Sequence, residues 1–408
     1  MKCRACGQKL KYQFIDLNSA PPSNAYLNEE DLHKPELYFP LKLFVCDRCW
    51  LVQTEDYARA DELFRSDYAY FSSTSASWLQ HSVEYCDMIC GRLKLDRNNF
   101  VVEIASNDGY LLKNFVARNI PCLGIEPTDS TAEAAEKIGI PVIRKFFGNT
   151  LAKDLQAENR LADLVIGNNV YAHVPDINDF TLGLKKILKP EGVITLEFPH
   201  LMRMIGHTQF DTIYHEHYSY LSLFAVNHIF ESVGLRLFDV EQLPTHGGSL
   251  RVYGCHASCA RKKTISVSDI LSEEEGHGLY HIETYRDFQR KADRLKDDLL
   301  EFLIAQKRAG KKVAAYGAAA KGNTLLNYAG IKKDLIPYVC DAAPSKQNKF
   351  LPGSHIRILP PDILHEHKPD VVLILPWNIA DEIIAQHNYI REWGAAFMVA
   401  VPQIEVFS

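Results

Sequence analysis

The sequence has no apolar run approaching the roughly 18 residues of a membrane-spanning helix. It also lacks a basic surplus: 45 Lys and Arg stand against 51 Asp and Glu, a formal net charge of -6. A chain whose main task is to coat nucleic acid carries the opposite balance, and nothing here favours a membrane surface. The chain starts Met1-Lys2-Cys3-Arg4-Ala5-Cys6 without the apolar stretch of a secretory signal. Low-complexity tracts are absent, as are the G-x-G-x-x-G dinucleotide turn and the Walker A loop. These absences lead us to expect a soluble, cytoplasmic protein with no nucleic acid and no membrane as partner. What is present is globular: 408 residues, 47% apolar and 24% charged, enough for two or three domains at roughly 150 residues each.

The ten cysteines are unevenly placed. Four form two tight pairs, Cys3/Cys6 and Cys46/Cys49, and the rest are scattered through apolar or helical stretches. In a reducing compartment paired cysteines more often hold metal than form disulfides. Between the pairs lie Pro21, Pro22, Pro35, Pro40 and short apolar runs, which read as strands and turns with too little core to stand alone. A closed tetrahedral zinc bound by Cys3, Cys6, Cys46 and Cys49 would supply the missing cross-link.

From residue 61 to 95 the pattern is helical, interrupted at Tyr68–Ser73, with Ser75 or Ser77 as a helix cap. From residue 100 strand and helix alternate: FVVEIA, SNDGYLLKNFVARN, PCLGIEPT, STAEAAEKIG, IPVIRKF, ADLVIGNN, DINDFTLGLKKIL and GVITLEFPH. That rhythm predicts a parallel α/β sheet covered on both faces. VEQLPTHGGSLRVYGCH reads as a hairpin, residues 262–309 as charged helices, and a second Rossmann-like βαβ block is expected from about 295 to the end.

Four constellations carry chemistry. Glu103, Ala105, Ser106, Asn107, Asp108 and Gly109 form a strand-to-turn junction where open α/β folds bind nucleotides. With no pyrophosphate signature, the turn suits S-adenosylmethionine. About 20 residues on, Glu126 ends the next strand, where a carboxylate accepts both protons of a ribose diol. Asn168, Asn169 and His173 follow a later strand on the same edge. Tyr214-His215-Glu216-His217-Tyr218 lacks the HExxH metal spacing and reads as acid–base machinery, with an imidazole tuned by a neighbouring carboxylate. Tyr316 through Thr324 is a strand-to-helix turn of small residues whose amides and Lys321 make a phosphate cradle. Thr245 to Arg251 is a second glycine-rich turn.

The ordered set CRAC…CDRC, SDYAYFSSTS, EIASNDGYLL, GIEPT, NNVYAHVPD, EFPHL, FDTIYHEHYSYLS, THGGSLRVY and AYGAAAKGN resembles the sugar C-methyltransferases that act on nucleotide-linked 4-keto-deoxysugars. The likeness runs in order over nearly the whole chain. It implies three domains: a small zinc-binding domain (1–60), a class I methyltransferase domain (61–290) and a C-terminal Rossmann-like domain that binds the nucleotide sugar (291–408). It departs from the usual pattern at Ala105, where methyltransferases often carry glycine. The implied cofactors are S-adenosylmethionine and a structural zinc. The implied reaction removes the C3 proton beside a C4 carbonyl, and the enolate takes the methyl group. By resemblance His217 is the base, Tyr214 and Glu216 position it or the sugar, and His173 and Tyr68 complete the catalytic group. Tyr70, His246, Arg251, Tyr316, Lys321 and Asn323 are expected against the acceptor. An O- or N-methyltransferase of similar build and a non-catalytic zinc adaptor remain as alternatives, and the sequence does not distinguish monomer from homodimer.

Overall fold

The computed structural model describes residues 1–55, 57 and 72–408. The first three strands, β1 (Tyr12–Ala20), β2 (Phe39–Val45) and β3 (Val52–Thr54), are antiparallel neighbours. The central sheet follows: β4 (Val101–Ile104), β5 (Cys122–Ile125), β6 (Val142–Ile143), β7 (Ala162–Asn168) and β8 (Leu188–Pro199). These five run parallel, in the order β8-β7-β4-β5-β6. A short strand, β9 (Ser219–Tyr220), precedes the hairpin of β10 (Leu235–Leu243) and β11 (Ser249–His256). The hairpin extends the sheet through an antiparallel β11–β8 pairing. Buried on both faces, the middle strands read as the continuous apolar runs that such strands require.

Chain order reverses on either side of β4, so its carboxyl end and that of β7 open a crevice. The Glu103–Gly109 turn and the Asn168-Asn169 pair both lie at this edge. In the C-terminal sheet β12 (Val313–Tyr316) is likewise central, with β13 (Tyr338–Cys340) and β14 (Arg357–Leu359) on one side. On the other lie β15 (Val371–Ile374), β16 (Ala396–Val399) and the antiparallel β17 (Glu405–Phe407). The Gly317–Lys321 turn therefore lies at the second sheet's own switch point.

Two helices frame the crevice. Helix α1 (Ala76–Leu93) is capped by Ser75, whose hydroxyl accepts Trp78 N–H at 3.3 Å. Helix α2 (Ala320–Tyr328) follows the small-residue turn. No helix among the described residues is long and apolar enough to cross a membrane.

One feature was not legible from the spacing of motifs. Ser219 and Tyr220, inside the histidine-rich segment, pair with Gln53 and Val52 as the fourth strand of the small sheet. They cover an edge that β3 would otherwise leave open. The N-terminal module also shares its core: Cys3, Cys46, Cys49 and Leu51 pack in one cluster with Leu184, Leu221 and Phe230, while Phe14 and Val45 pack with Phe288, Leu295 and Ala315.

Candidate active site

The two CxxC turns are built alike. Gly7 N–H bonds to Cys3 O at 2.9 Å and Trp50 N–H to Cys46 O at 3.0 Å, and both residues after the second cysteine are left-handed, Gly7 at φ 71° and Trp50 at φ 55°. Each turn thereby aims two sulfurs at one point. Cys3 and Cys49 Sγ are 3.5 Å apart, as are Cys6 and Cys46 Sγ, and all four lie within 4.8 Å of one another. Four thiolates about 2.3 Å from one zinc sit roughly 3.8 Å apart, so the set fits a closed tetrahedral site.

At the crevice, Ala105, Asn107 and Gly109 all have positive φ, at 56°, 50° and 78°. The left-handed backbone at Ala105 explains why glycine is usual there. A Cβ on Gly109 would lie 2.3 Å from Ile140, so this turn packs tightly on the fold. Glu126 accepts Asn107 N–H at 2.9 Å and Thr128 N–H at 3.0 Å. Asn107 and Asp108 accept the N–H groups of Ser72 and Ser73 at 2.9 and 3.1 Å, which fastens the chain just before α1 over the turn. Tyr68 and Tyr70 lie outside the described residues.

Glu103 and Ser106 take a supporting place rather than an exposed one. Glu103 is buried below the turn, and burial, with Asp108 and Glu126 nearby, raises its carboxyl well above the usual range. Ser106 is fully buried against Gly124. At the end of β7, Asn168 is buried, and Asn169 Nδ2 reaches His246 Nε2 at 3.1 Å.

His217 is buried between rings. Tyr214 lies tilted over it at 4.0 Å between centroids, and His173 meets it edge-on at 4.6 Å. Its Nδ1–H donates to Thr212 O at 3.0 Å. A carbonyl can only accept, so the proton is fixed on Nδ1 and Nε2 keeps its lone pair. Burial, then His173, pushes the His217 pKa well below its ordinary value. The orienting partner is thus a backbone carbonyl rather than the expected neighbouring carboxylate. Glu216 instead accepts Asn24 Nδ2 at 2.7 Å, tying the motif to the N-terminal module. Its backbone oxygen accepts His173 Nδ1–H at 2.9 Å, and burial lowers His173 to about 4. His215 turns away and bonds Phe39 O at 3.2 Å.

On the acceptor side, Lys321 Nζ donates to Asn378 Oδ1 at 2.5 Å and lies 4.5 Å from the Trp377 ring centre. Burial lowers it to about 8, with Asp211 opposing. Asp211 is fully buried, accepts Trp377 Nε1–H at 2.7 Å, and is raised to about 6 by burial against the pull of Lys321.

Three residues expected against the acceptor are engaged within the protein itself. Arg251 is buried in ion pairs with Glu197 at 3.1 Å and Glu241 at 3.0 Å. Tyr316 alternates to the far face of the C-terminal sheet, its ring 4.5 Å from His387. Asn323 is 1% exposed and donates to Ser23 O at 2.6 Å, stapling α2 to the N-terminal module.

Three family profiles match consecutive parts of the chain: a zinc binding domain over residues 3–64, a methyltransferase domain over 79–240, and a C-methyltransferase C-terminal domain over 244–402. The C-methyltransferase NovU of Streptomyces niveus is 35% identical over 407 residues, covering 100% of this chain and 97% of that protein. The chain belongs to the C-methyltransferase family. Solved structures match less than half of the chain. A SAM-dependent methyltransferase of Thermotoga maritima is 16% identical over 43% of this chain and 88% of its own, with a TM-score of 0.34. An S-adenosylmethionine-dependent methyltransferase of Clostridium acetobutylicum is 11% identical over 48% and 96%, with a TM-score of 0.36.

This C-methyltransferase uses S-adenosylmethionine and holds its zinc through four cysteines. Several residues lining the crevice carry no sequence signal. Trp78 and His81 of α1 stack on each other at 4.8 Å, and His81 donates to the fully buried Glu197 at 3.0 Å. Asn24 and Trp377 are equally silent, and Asp211, though inside the FDTIYHEHYSYLS stretch, carries no signal of its role; the hydrogen bonds Asn24–Glu216 and Trp377–Asp211 each span more than 150 positions. With Glu126 at the cofactor's ribose, as the resemblance implies, Glu126→Ala should remove a charge-assisted contact of about 1.5–3 kcal/mol. Calorimetry should then show adenosylmethionine binding weakened roughly tenfold or more, and unchanged affinity would refute the assignment.

Proposed function

We propose that this cytoplasmic C-methyltransferase methylates C3 of a nucleotide-linked 4-keto-deoxysugar, carried on thymidine diphosphate, in the assembly of a branched-chain sugar. The observation that carries the reading is the His217 imidazole, its tautomer fixed with Nε2 basic, in a buried cluster between the methyl-donor edge and Lys321. A carbonyl at C4 acidifies the C3 proton, and a neutral imidazole is suited to remove it. S-adenosylmethionine, when bound, supplies the methyl group that the resulting carbanion takes. The protein holds the two halves together and dry. Glu126 and the 105–109 turn face the donor, Tyr214 and His173 pack the base, and Lys321 meets the diphosphate. The full-length likeness to an enzyme named as a C-methyltransferase supports carbon as the acceptor atom over oxygen or nitrogen.

The test is incubation with labelled adenosylmethionine and a panel of nucleotide 4-ketosugars, read by mass spectrometry. A methyl group on carbon, in a product that keeps its carbonyl, is expected; methylation on oxygen or nitrogen would overturn the reading. Lys321 gives a second check. With its pKa at about 8, the cation is present below that pH and lost above it. The KM for the sugar nucleotide should therefore rise as pH passes 8. Lys321→Ala should raise KM at every pH without altering adenosylmethionine affinity, and Lys321→Arg should abolish the alkaline rise. The reverse pattern would move the acceptor elsewhere.

A further inference from the structure

The turn between β10 and β11 places His246 in the left-handed region, at φ 54° and ψ 23°. A residue with a Cβ enters it only against a steric penalty. The surroundings hold the turn firmly. Thr245 Oγ1 donates to Glu197 at 3.2 Å, Gln209 Nε2 to Gly247 O at 2.9 Å, and Ser249 Oγ to Thr245 O at 2.9 Å. A Cβ on Gly247 would lie 2.4 Å from Trp377, and one on Gly248 2.7 Å from Arg203. The two glycines let the turn lie close under its neighbours while His246 keeps a ring at this point. Strain of this kind, over-determined by packing, marks a functional position.

The ring lies where the two halves of the crevice meet. It packs against Trp78 at 5.3 Å. Its Nε2 accepts Asn169 Nδ2–H at 3.1 Å on the donor edge. Across the crevice, Lys321 and His217 are near enough for their charges to be felt. Since the Asn169 amide nitrogen only donates, Nε2 of His246 is the acceptor and the ring proton sits on Nδ1. Burial, then Lys321, lowers the imidazole to about 4, so it is neutral at working pH. A neutral N–H can stabilise a developing enolate by a hydrogen bond without surrendering its proton.

We infer that His246 is a catalytic residue, its Nδ1–H donating to the acceptor's carbonyl oxygen and stabilising the negative charge that forms there. This rests on the proposed function. The C–H electron pair becomes the carbon–carbon double bond of the enolate, the carbonyl π pair moves to oxygen, and the proton goes to His217 Nε2. On methyl transfer the carbonyl re-forms. The new carbon–carbon bond takes the enolate pair, and the broken sulfur–methyl pair remains on sulfur as S-adenosylhomocysteine.

The test separates deprotonation from methyl transfer. Enzyme loaded with S-adenosylhomocysteine is incubated in D₂O with thymidine-diphosphate 4-keto-6-deoxyglucose, and deuterium at C3 is followed by mass spectrometry. His246→Ala should slow exchange, and separately methyl transfer, by about 10²–10³-fold, with adenosylmethionine affinity unchanged. His246→Asn tolerates the left-handed backbone and places an amide N–H near the position of Nδ1, so it should recover most of the loss. Wild-type exchange retained by His246→Ala would overturn the role of His246 and leave the proposed function standing. Both variants equally slow, with weakened adenosylmethionine binding, would reduce the ring to packing and also overturn it. A wild-type enzyme that neither exchanges nor methylates any nucleotide ketosugar would overturn the functional reading itself.

Discussion

Replacing His217 by Ala or Asn should lower kcat by about 10²–10⁴-fold, the usual worth of a positioned general base, with both substrates still bound. The fold decides the pH at which the wild type loses rate. A free imidazole titrates near pH 6.5, but burial and the neighbouring His173 hold His217 well below that. The acid limb of kcat/KM should therefore fall below pH 6.5, and a limb at or above 6.5 would place the base elsewhere, with His173, Tyr214 and Glu216 the next candidates. Stability follows the same groups. His173, His217 and His246 are all held low by burial, the first and last at about 4. The unfolded chain takes protons near pH 6.5 that the fold refuses, so stability is full above that pH and falls as pH drops towards 4.

Loss of the zinc should be as damaging, although no chemistry passes through it. Structural zinc contributes folding energy of about 10–16 kcal/mol in small isolated domains. Here the four cysteines form part of the core shared with the methyltransferase sheet, and the consequence reaches the base. The small sheet organised by the two knuckles pairs through β3 with β9, directly after His217 and Tyr218. Asn24 holds Glu216, Tyr26 hydroxyl donates to Ala318 O at 2.6 Å, and Ser23 O receives Asn323. Cys46→Ser should lose the metal, raise amide exchange in β1–β3 and β9 together, and remove nearly all activity. Metal analysis finding no zinc in protein purified without chelator would refute the site. Full activity in a metal-free Cys46→Ser protein would refute the coupling.

The sequence by itself determined the parts whose signal is local. Two CxxC pairs require a metal-sized convergence whatever lies between them. The apolar runs FVVEIA and ADLVIGNN must be buried on both faces, and so form a parallel sheet with a crevice at its carboxyl edge. The 103–109 turn and Glu126 could be assigned to one edge in advance because they end neighbouring strands of the βαβ pattern about 20 residues apart, whereas the Asn107 N–H bond to Glu126 appears only in the structure. Tertiary structure alone decided what depends on partners far apart in the chain. It turned Arg251 into the buried counter-charge of Glu197, because β8 and β11 become neighbours only when the hairpin folds back. It sent Tyr316 to the far face, since alternation along β12 has no reference until the sheet is packed. It replaced the carboxylate expected beside His217 with the carbonyl of Thr212, because the chain winds through a short 3-10 turn at Phe210–Thr212 just before the motif. It brought Trp78 and Trp377, which no motif marks, to a crevice assembled by contacts between three sheets. The residue types stated which chemistry was available; the long-range packing chose which atoms could perform it.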